Sequence, residues 1–242
     1  MPKPDHIQLP TGESIPILYE DRAVLAIDKP RGWMLVPFSW QRTGRNLQAA
    51  LTSSIAGGDF WARSRSLRYL RFVHRLDADT SGVLLFAKSP GGVKTFSALF
   101  ESRKMEKVYL AVVRGRPQPG EWTCRLRLAP DPKAVGKIKA DARHGKEAKT
   151  HFRVLQSKEG ATLVEARPLT GRTHQIRVHL AESGCPVVGD PLYGLRSAEE
   201  DCEMGLRAIC LGYVDPFVRR RVAIRAPVVE FAREYGFDVP RL

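Results

Sequence analysis

Cysteine is scarce in this chain and poorly spaced for metal chemistry. Cys124, Cys185, Cys202 and Cys210 form no CxxC pair and do not fall at ligand intervals from a histidine. A zinc ribbon and a disulfide framework are excluded, and the four read as reduced bystanders. Long apolar runs are missing too. No stretch approaches the ~20 residues of a membrane-spanning helix, and no charged-then-apolar opening segment with a cleavage site is present, so a cytoplasmic protein without membrane contact is expected. No internal repeat or heptad pattern is visible, which excludes solenoids and coiled coils. Negative charge is also in short supply: 26 Asp and Glu face 39 Lys and Arg, a formal net charge of +13. Such a balance points to an anionic partner, and nucleic acid is the commonest one for a basic domain.

The excess charge is not spread evenly. It is zero over residues 1–60, +6 over 61–110, +9 over 111–180 and −2 over 181–242. Three residue patterns lie within 61–180. The first, Arg71-Phe72-Val73-His74-Arg75-Leu76-Asp77-Ala78-Asp79-Thr80-Ser81-Gly82, runs straight into Val83-Leu84-Leu85-Phe86-Ala87. The apolar run, bounded by Ser-Gly before and Lys88-Ser89-Pro90 after, predicts a buried strand, so the loop ahead of it is held on a rigid element. Asp77, just after His74 and Arg75, is either a chemical carboxylate or an ordinary turn cap. The second pattern, Lys107 to Val113, holds a predicted strand at 108–113, and the third, Gly171 to Leu180, opens a predicted helix with Thr173 near its start and Gly184 at its C-cap. On that helix His174 and Arg177 share one face, while Ile176 and Leu180 share another that faces the core.

Other stretches give coarser expectations. Residues 1–16, with Pro2, Pro4, Pro10 and Gly12, read as a poorly ordered arm or edge segment, and 17–242 as one domain. Residues 39–60 read as a loop with a helical piece near Asn46 to Leu51. Ser89-Pro90 caps a predicted helix whose Val93, Phe96, Leu99 and Phe100 face the core. Arg63, Arg65, Arg68 and Arg71 with Trp61, Tyr69 and Phe72 suit phosphate contact plus base stacking, or else form a solvated basic face. Trp122, Cys124, Leu126 and Leu128 alternate as one strand, residues 130–149 form a flexible basic excursion, either an RNA clamp or a solvated loop, and 152–155 with 161–166 make a hairpin. A late strand at 222–224 and a short helix at 228–235 follow an acidic loop at 196–205.

HRLDADTSG followed by VLLFAK resembles the signature of the RluA family of pseudouridine synthases, in which the Asp of HRLD is catalytic. KVYLAVV and GRTHQIRVHL are similar to two further family blocks in the same order, and ILYED…VLAIDKPRGW and GDPLYG to two more, so the resemblance spans residues 17–194. Two departures stand out. Val36-Pro37-Phe38 replaces a VHP-like tripeptide, and Cys210-Leu211-Gly212 stands where the family often has Leu-His-Ala, so no histidine role is carried there. No appended S4 RNA-binding domain is expected.

The resemblance implies a mixed α/β (α+β) fold with a mainly antiparallel central sheet flanked by helices and loops. It also implies isomerisation of specific uridines to pseudouridine in structured ribosomal or transfer RNA, by a monomer with no metal or cofactor. By the same match Asp77, Tyr109 and Arg177 are the catalytic set, with Arg177 pairing with the carboxylate and Tyr109 stacking on the base. Arg75 takes the space of a flipped nucleotide; His74, Thr80, Arg172, His174 and Ile176 complete the substrate-binding set. Residue by residue, a surface Arg177 and a core Tyr109 are the plainer readings. A zinc site from His74, His174 and His179 is disfavoured, because the last two are five apart rather than four. The opposing function class is an RNA-binding module of the same fold that has lost catalysis.

Overall fold

The computed structural model describes residues 2–9, 11–35, 44–194 and 202–240. The chain divides into two compact units, Met1–Met105 with Leu211–Ala226, and Glu106–Cys210 with Pro227–Leu242. The first unit opens with β1 (His6–Gln8), β2 (Ser14–Glu20) and β3 (Val24–Lys29), continues through α1 (Leu47–Ala56) and α2 (Phe60–Arg63), and closes with β4 (Arg71–Phe72), β5 (Ser81–Ala87) and α3 (Pro90–Glu101). β1, β2, β3 and β5 pair in that order, antiparallel throughout, with β4 against β5. Every residue of β5 is buried, which is why its sequence is a continuous apolar run rather than an alternation. Beside it, Ser89 caps α3 by accepting the Gly92 N–H at 3.1 Å, and Phe96 sinks fully into the core with its ring edge-on to Tyr213.

Residues expected as an N-terminal arm carry β1 and the start of β2, and Ile7, Leu9 and Ile15 are buried. Asn46 caps α1 through the Ala49 N–H at 3.0 Å, and that helix runs five residues beyond the expected Leu51. The basic, aromatic run ahead of β4 is only partly a surface. Arg65 is buried against Glu20 at 2.8 Å and donates to the Pro4 carbonyl, and Trp61 is buried with its indole N–H on Ser54, so these two hold the fold together and are not available to RNA. Arg63, Arg68 and Arg71 are exposed. Val36-Pro37-Phe38 and residues 196–201 lie outside the described residues.

The second unit contains β6 (Glu106–Arg114), β7 (Glu121–Cys124), β8 (Arg127–Pro130), β9 (Ile138–Ala140), β10 (Lys146–Glu147), β11 (Thr150–Ser157), β12 (Ala161–Pro168) and α4 (Gln175–Glu182). β13 (Leu206–Val214) then carries the chain back to the first unit, where β14 (Arg221–Arg225) pairs with it, and α5 (Val229–Glu234) belongs to the second. β6, β12, β11 and β7 are antiparallel neighbours in that order, and the expected hairpin is β11–β12. The single alternating strand expected at 122–128 is broken at Arg125-Leu126: β7 pairs with β11, while β8 joins a separate three-stranded sheet in the order β10-β8-β9. The basic excursion is therefore ordered. Its apolar residues Leu128 and Ala148 pack with Val178 of α4, which gives the small sheet a core of its own. Among the described residues no helix is long and apolar enough to cross a membrane.

Candidate functional site

In the first unit, Asp77 sits half-buried at the centre of a loop anchored on both sides. Leu76 and Thr80 are buried, and the Thr80 N–H closes a turn onto the Asp77 carbonyl at 3.2 Å. His74 accepts the Leu85 N–H at 3.1 Å through Nε2 and stacks on Phe100 at 4.5 Å between ring centroids, which ties the loop to β5 and α3. Arg75 is exposed between these anchors. Beneath the loop lies Lys29, the last residue of β3, with no solvent exposure. Its Nζ donates to the carbonyls of Pro30 (2.9 Å), Ala78 (2.7 Å) and Thr80 (2.9 Å). Three acceptors use all three N–H groups of an ammonium. Burial pulls the Lys29 amine down to about 7, and the charges of Asp79 and Asp77 act in the opposite direction.

The second unit carries Tyr109, Arg172, His174, Ile176 and Arg177. His174 stands immediately before α4 with φ of 52°, so the helix begins at Gln175, past the expected start near Thr173, and Gln175 caps the turn by accepting from Thr170 Oγ1 (2.7 Å) and the Arg172 N–H (3.0 Å). Arg177 is almost fully buried. Its Nε donates to Asp190 Oδ2 and its Nη2 to Oδ1, each at 2.7 Å, a forked pairing. Burial tends to raise the Asp190 carboxyl, but the Arg177 bonds and charge, with the Leu192 and Tyr193 N–H groups on Oδ1, hold it below the usual carboxylate range.

The turn that presents Asp190 has little tolerance. A Cβ on Gly189 would lie 2.3 Å from the Glu203 carbonyl oxygen, and one on Gly194 would lie 2.4 Å from that of Asp190, so both positions require glycine. Tyr193 from the same turn places its hydroxyl 2.9 Å from His174 Nδ1, and the Arg177 guanidinium lies over its ring at 5.2 Å. His174 and Arg177 thus both meet Tyr193, although His174 stands outside the helix and the expected shared helix face does not form. Arg172 is exposed and donates through Nε to the Glu147 carbonyl at 3.0 Å. Ile176 is buried beside Leu180 in the apolar cluster of Ala111, Phe152 and Val164, the core face expected of it. Half-buried Tyr109 packs on that cluster from β6, opposite Ala166.

Lys29, Asp190, Tyr193 and Lys107 were not singled out from sequence. Lys29 sits inside DKPRG, and Asp190 and Tyr193 inside GDPLYG, stretches noted for their likeness to family blocks. Lys107 opens KVYLAVV; its Nζ donates to the Thr170 carbonyl at 2.7 Å, and burial pulls its amine down to about 8. His179 is buried within the helix with Nδ1 3.0 Å from Thr150 Oγ1.

The first unit thus offers a half-buried carboxylate on a braced loop, and the second a buried, carboxylate-paired arginine whose guanidinium lies over the Tyr193 ring. Known proteins share this fold. The fold resembles that of human RNA pseudouridylate synthase domain containing 1, with a TM-score of 0.72 and 27% identity, covering 94% of this chain and 89% of that one. The model of the RNA pseudouridylate synthase family matches residues 23–182, and the chain belongs to that family. An uncharacterised RNA pseudouridine synthase of Zymomonas mobilis is 36% identical over 225 residues, spanning 91% of this chain and 97% of that protein. The ribosomal large subunit pseudouridine synthase C of Salmonella typhimurium is 34% identical over 232 residues, 92% of this chain and 69% of the relative. The chain is thus an RNA pseudouridine synthase.

Proposed function

We propose that the substrate is a structured ribosomal RNA, and that Asp77 is the catalytic carboxylate acting on a uridine turned out of its stack. The enzyme would work as a monomer in the cytoplasm. The reaction breaks the N1–C1′ bond, turns the base and joins C1′ to C5; the C5 hydrogen leaves as a proton and N1 gains one. It is an isomerisation that needs no co-reactant. An ionised carboxylate can serve it by covalent attack, by stabilising positive charge at the sugar, or by taking the proton. In this reading Tyr109 stacks on the base, Arg177 is the cation of the catalytic set, and Arg75 fills the space the nucleotide leaves. Arg75 is exposed between two anchored residues, as such a wedge requires.

The observation that carries this reading is the brace under Asp77. A fully buried lysine ties down the carbonyls of Ala78 and Thr80, the first and third residues after Asp77, and so fixes where the carboxylate stands. Incubating the protein with unmodified large-subunit ribosomal RNA and with transfer RNA, followed by pseudouridine mapping, tests it. The reading predicts discrete new sites in the ribosomal transcript. Sites confined to transfer RNA, or none in either, would contradict it.

A further inference from the structure

Tyr193 connects two parts of the second unit. On one side its hydroxyl is hydrogen-bonded to His174 at the start of α4, and its ring lies under Arg177. On the other, the same hydroxyl accepts the N–H of Ile138, the first residue of β9, at 2.8 Å, and the Lys137 ammonium lies 5.4 Å from the ring centre. The small sheet it touches is rich in positive charge, with eight Lys and Arg against three acids between residues 125 and 149. Two of those acids are committed to turns: Asp131 accepts the Lys133 N–H, and Asp141 accepts those of Arg143 and His144. Lys133, Arg143 and Lys146 are exposed.

We propose that the β8–β10 sheet is an arm that grips the RNA phosphodiester backbone, and that Tyr193 is the positioning residue tying that grip to Arg177. The proposal rests on the RNA-modifying activity argued above. Charge complementarity selects the occupant, since closely spaced phosphates match an ordered surface with few competing acids. The arm is already folded on Leu128, Ala148 and Val178, so binding does not have to order it first. A load on β9 reaches the Tyr193 hydroxyl through one backbone bond, and from there the ring that faces the Arg177 guanidinium.

Full-length protein and an unmodified large-subunit ribosomal RNA transcript test both halves, through affinity against salt and single-turnover pseudouridine formation at saturating RNA. For the Lys133→Gln/Arg143→Gln double variant, losing two phosphate contacts lowers the slope of log affinity against log salt by about 1.4–1.8. Tyr193→Phe keeps the ring and loses both hydroxyl bonds. Its salt slope and thermal midpoint stay parental, and its single-turnover rate falls about tenfold. A parental slope in the double variant overturns the arm, and a parental rate in Tyr193→Phe overturns the link. Loss of rate, affinity and thermal stability together would make Tyr193 merely structural and overturn the link as well. If the parent binds the transcript and forms no pseudouridine, the proposed activity fails and Tyr193 loses its role with it, while the slope comparison still judges the arm.

Discussion

At the scale of single residues, a buried lysine and a half-buried one do similar work on different loops. Lys29 holds two carbonyls just after Asp77, and Lys107 holds the Thr170 carbonyl just ahead of the Arg177 helix. Replacing Lys29 by Met takes one donor from each of three carbonyls; that of Ala78 still accepts the Gly32 N–H at 2.9 Å, and each carbonyl left unsatisfied and dry costs about 1–3 kcal/mol. Lys29→Met is therefore expected to lose several kcal/mol in urea unfolding and, where it folds, to turn over at least tenfold more slowly. A parental rate in that variant would show that the brace is not needed. Tyr109 separates differently: Tyr109→Phe should bind RNA like the parent and slow only the chemical step, and equal activity of Tyr109→Leu and the parent would make it a core residue. His179 supplies a pH test. Burial lowers it from the ordinary 6.5 to about 4, so between those values the unfolded chain binds the proton and the folded one does not. Its stabilising contribution is complete above pH 6.5 and is lost as pH falls towards 4, by about 3 kcal/mol in all. Comparing urea unfolding at pH 7 and pH 4.5, His179→Gln should lose less stability on acidification than the parent.

At the scale of elements, the Asp190–Tyr193 turn and α4 behave as one piece. Asp190→Ala removes the forked carboxylate from a buried guanidinium and is expected to destabilise by about 3–5 kcal/mol, measured by urea unfolding; a loss under 1 kcal/mol would mean that other contacts of Arg177 compensate. How far each element was legible in the sequence follows from what fixes it. β5, α3 and the β11–β12 hairpin were readable because local pattern decides them: an unbroken apolar run, a Ser-Pro cap with a helical stripe, two strands about a Glu-Gly turn. The break between β7 and β8 was not, because alternation says which side chains face inward and not which strand accepts the hydrogen bonds. The 130–149 stretch read as flexible since its core is Leu128 and Ala148 packed on Val178, which lies some 30 residues further along the chain. Asp77, Tyr109 and Arg177 were visible only through their motifs, and Asp190 and Tyr193 took on roles once the turn was placed beside α4.

At the scale of the whole molecule, the positive charge of residues 61–180 is expected to supply most of the RNA affinity. A few of those residues are spent internally: Arg65 on Glu20, Arg167 on Glu165, Arg177 on Asp190. The exposed remainder should give a steep salt dependence, each neutralised phosphate adding about 0.7–0.9 to the slope of log affinity against log salt; affinity indifferent to salt would contradict this. A uridine in a loop or mismatched stem should also react faster than the same uridine in perfect duplex, because stacking there is already interrupted.

The central claim is that the carboxylate of Asp77 performs the isomerisation while the rest of the protein holds RNA. Asp77→Asn changes one oxygen of one half-buried side chain and leaves the loop's backbone bonds in place, so tritium release from C5-labelled uridine in ribosomal RNA reads the claim most directly. The account predicts release with the parent, none above background with Asp77→Asn, and RNA affinities within about twofold of each other, as expected where a charge acts in the transition state rather than in binding. Sustained release by the Asp77→Asn protein would contradict it.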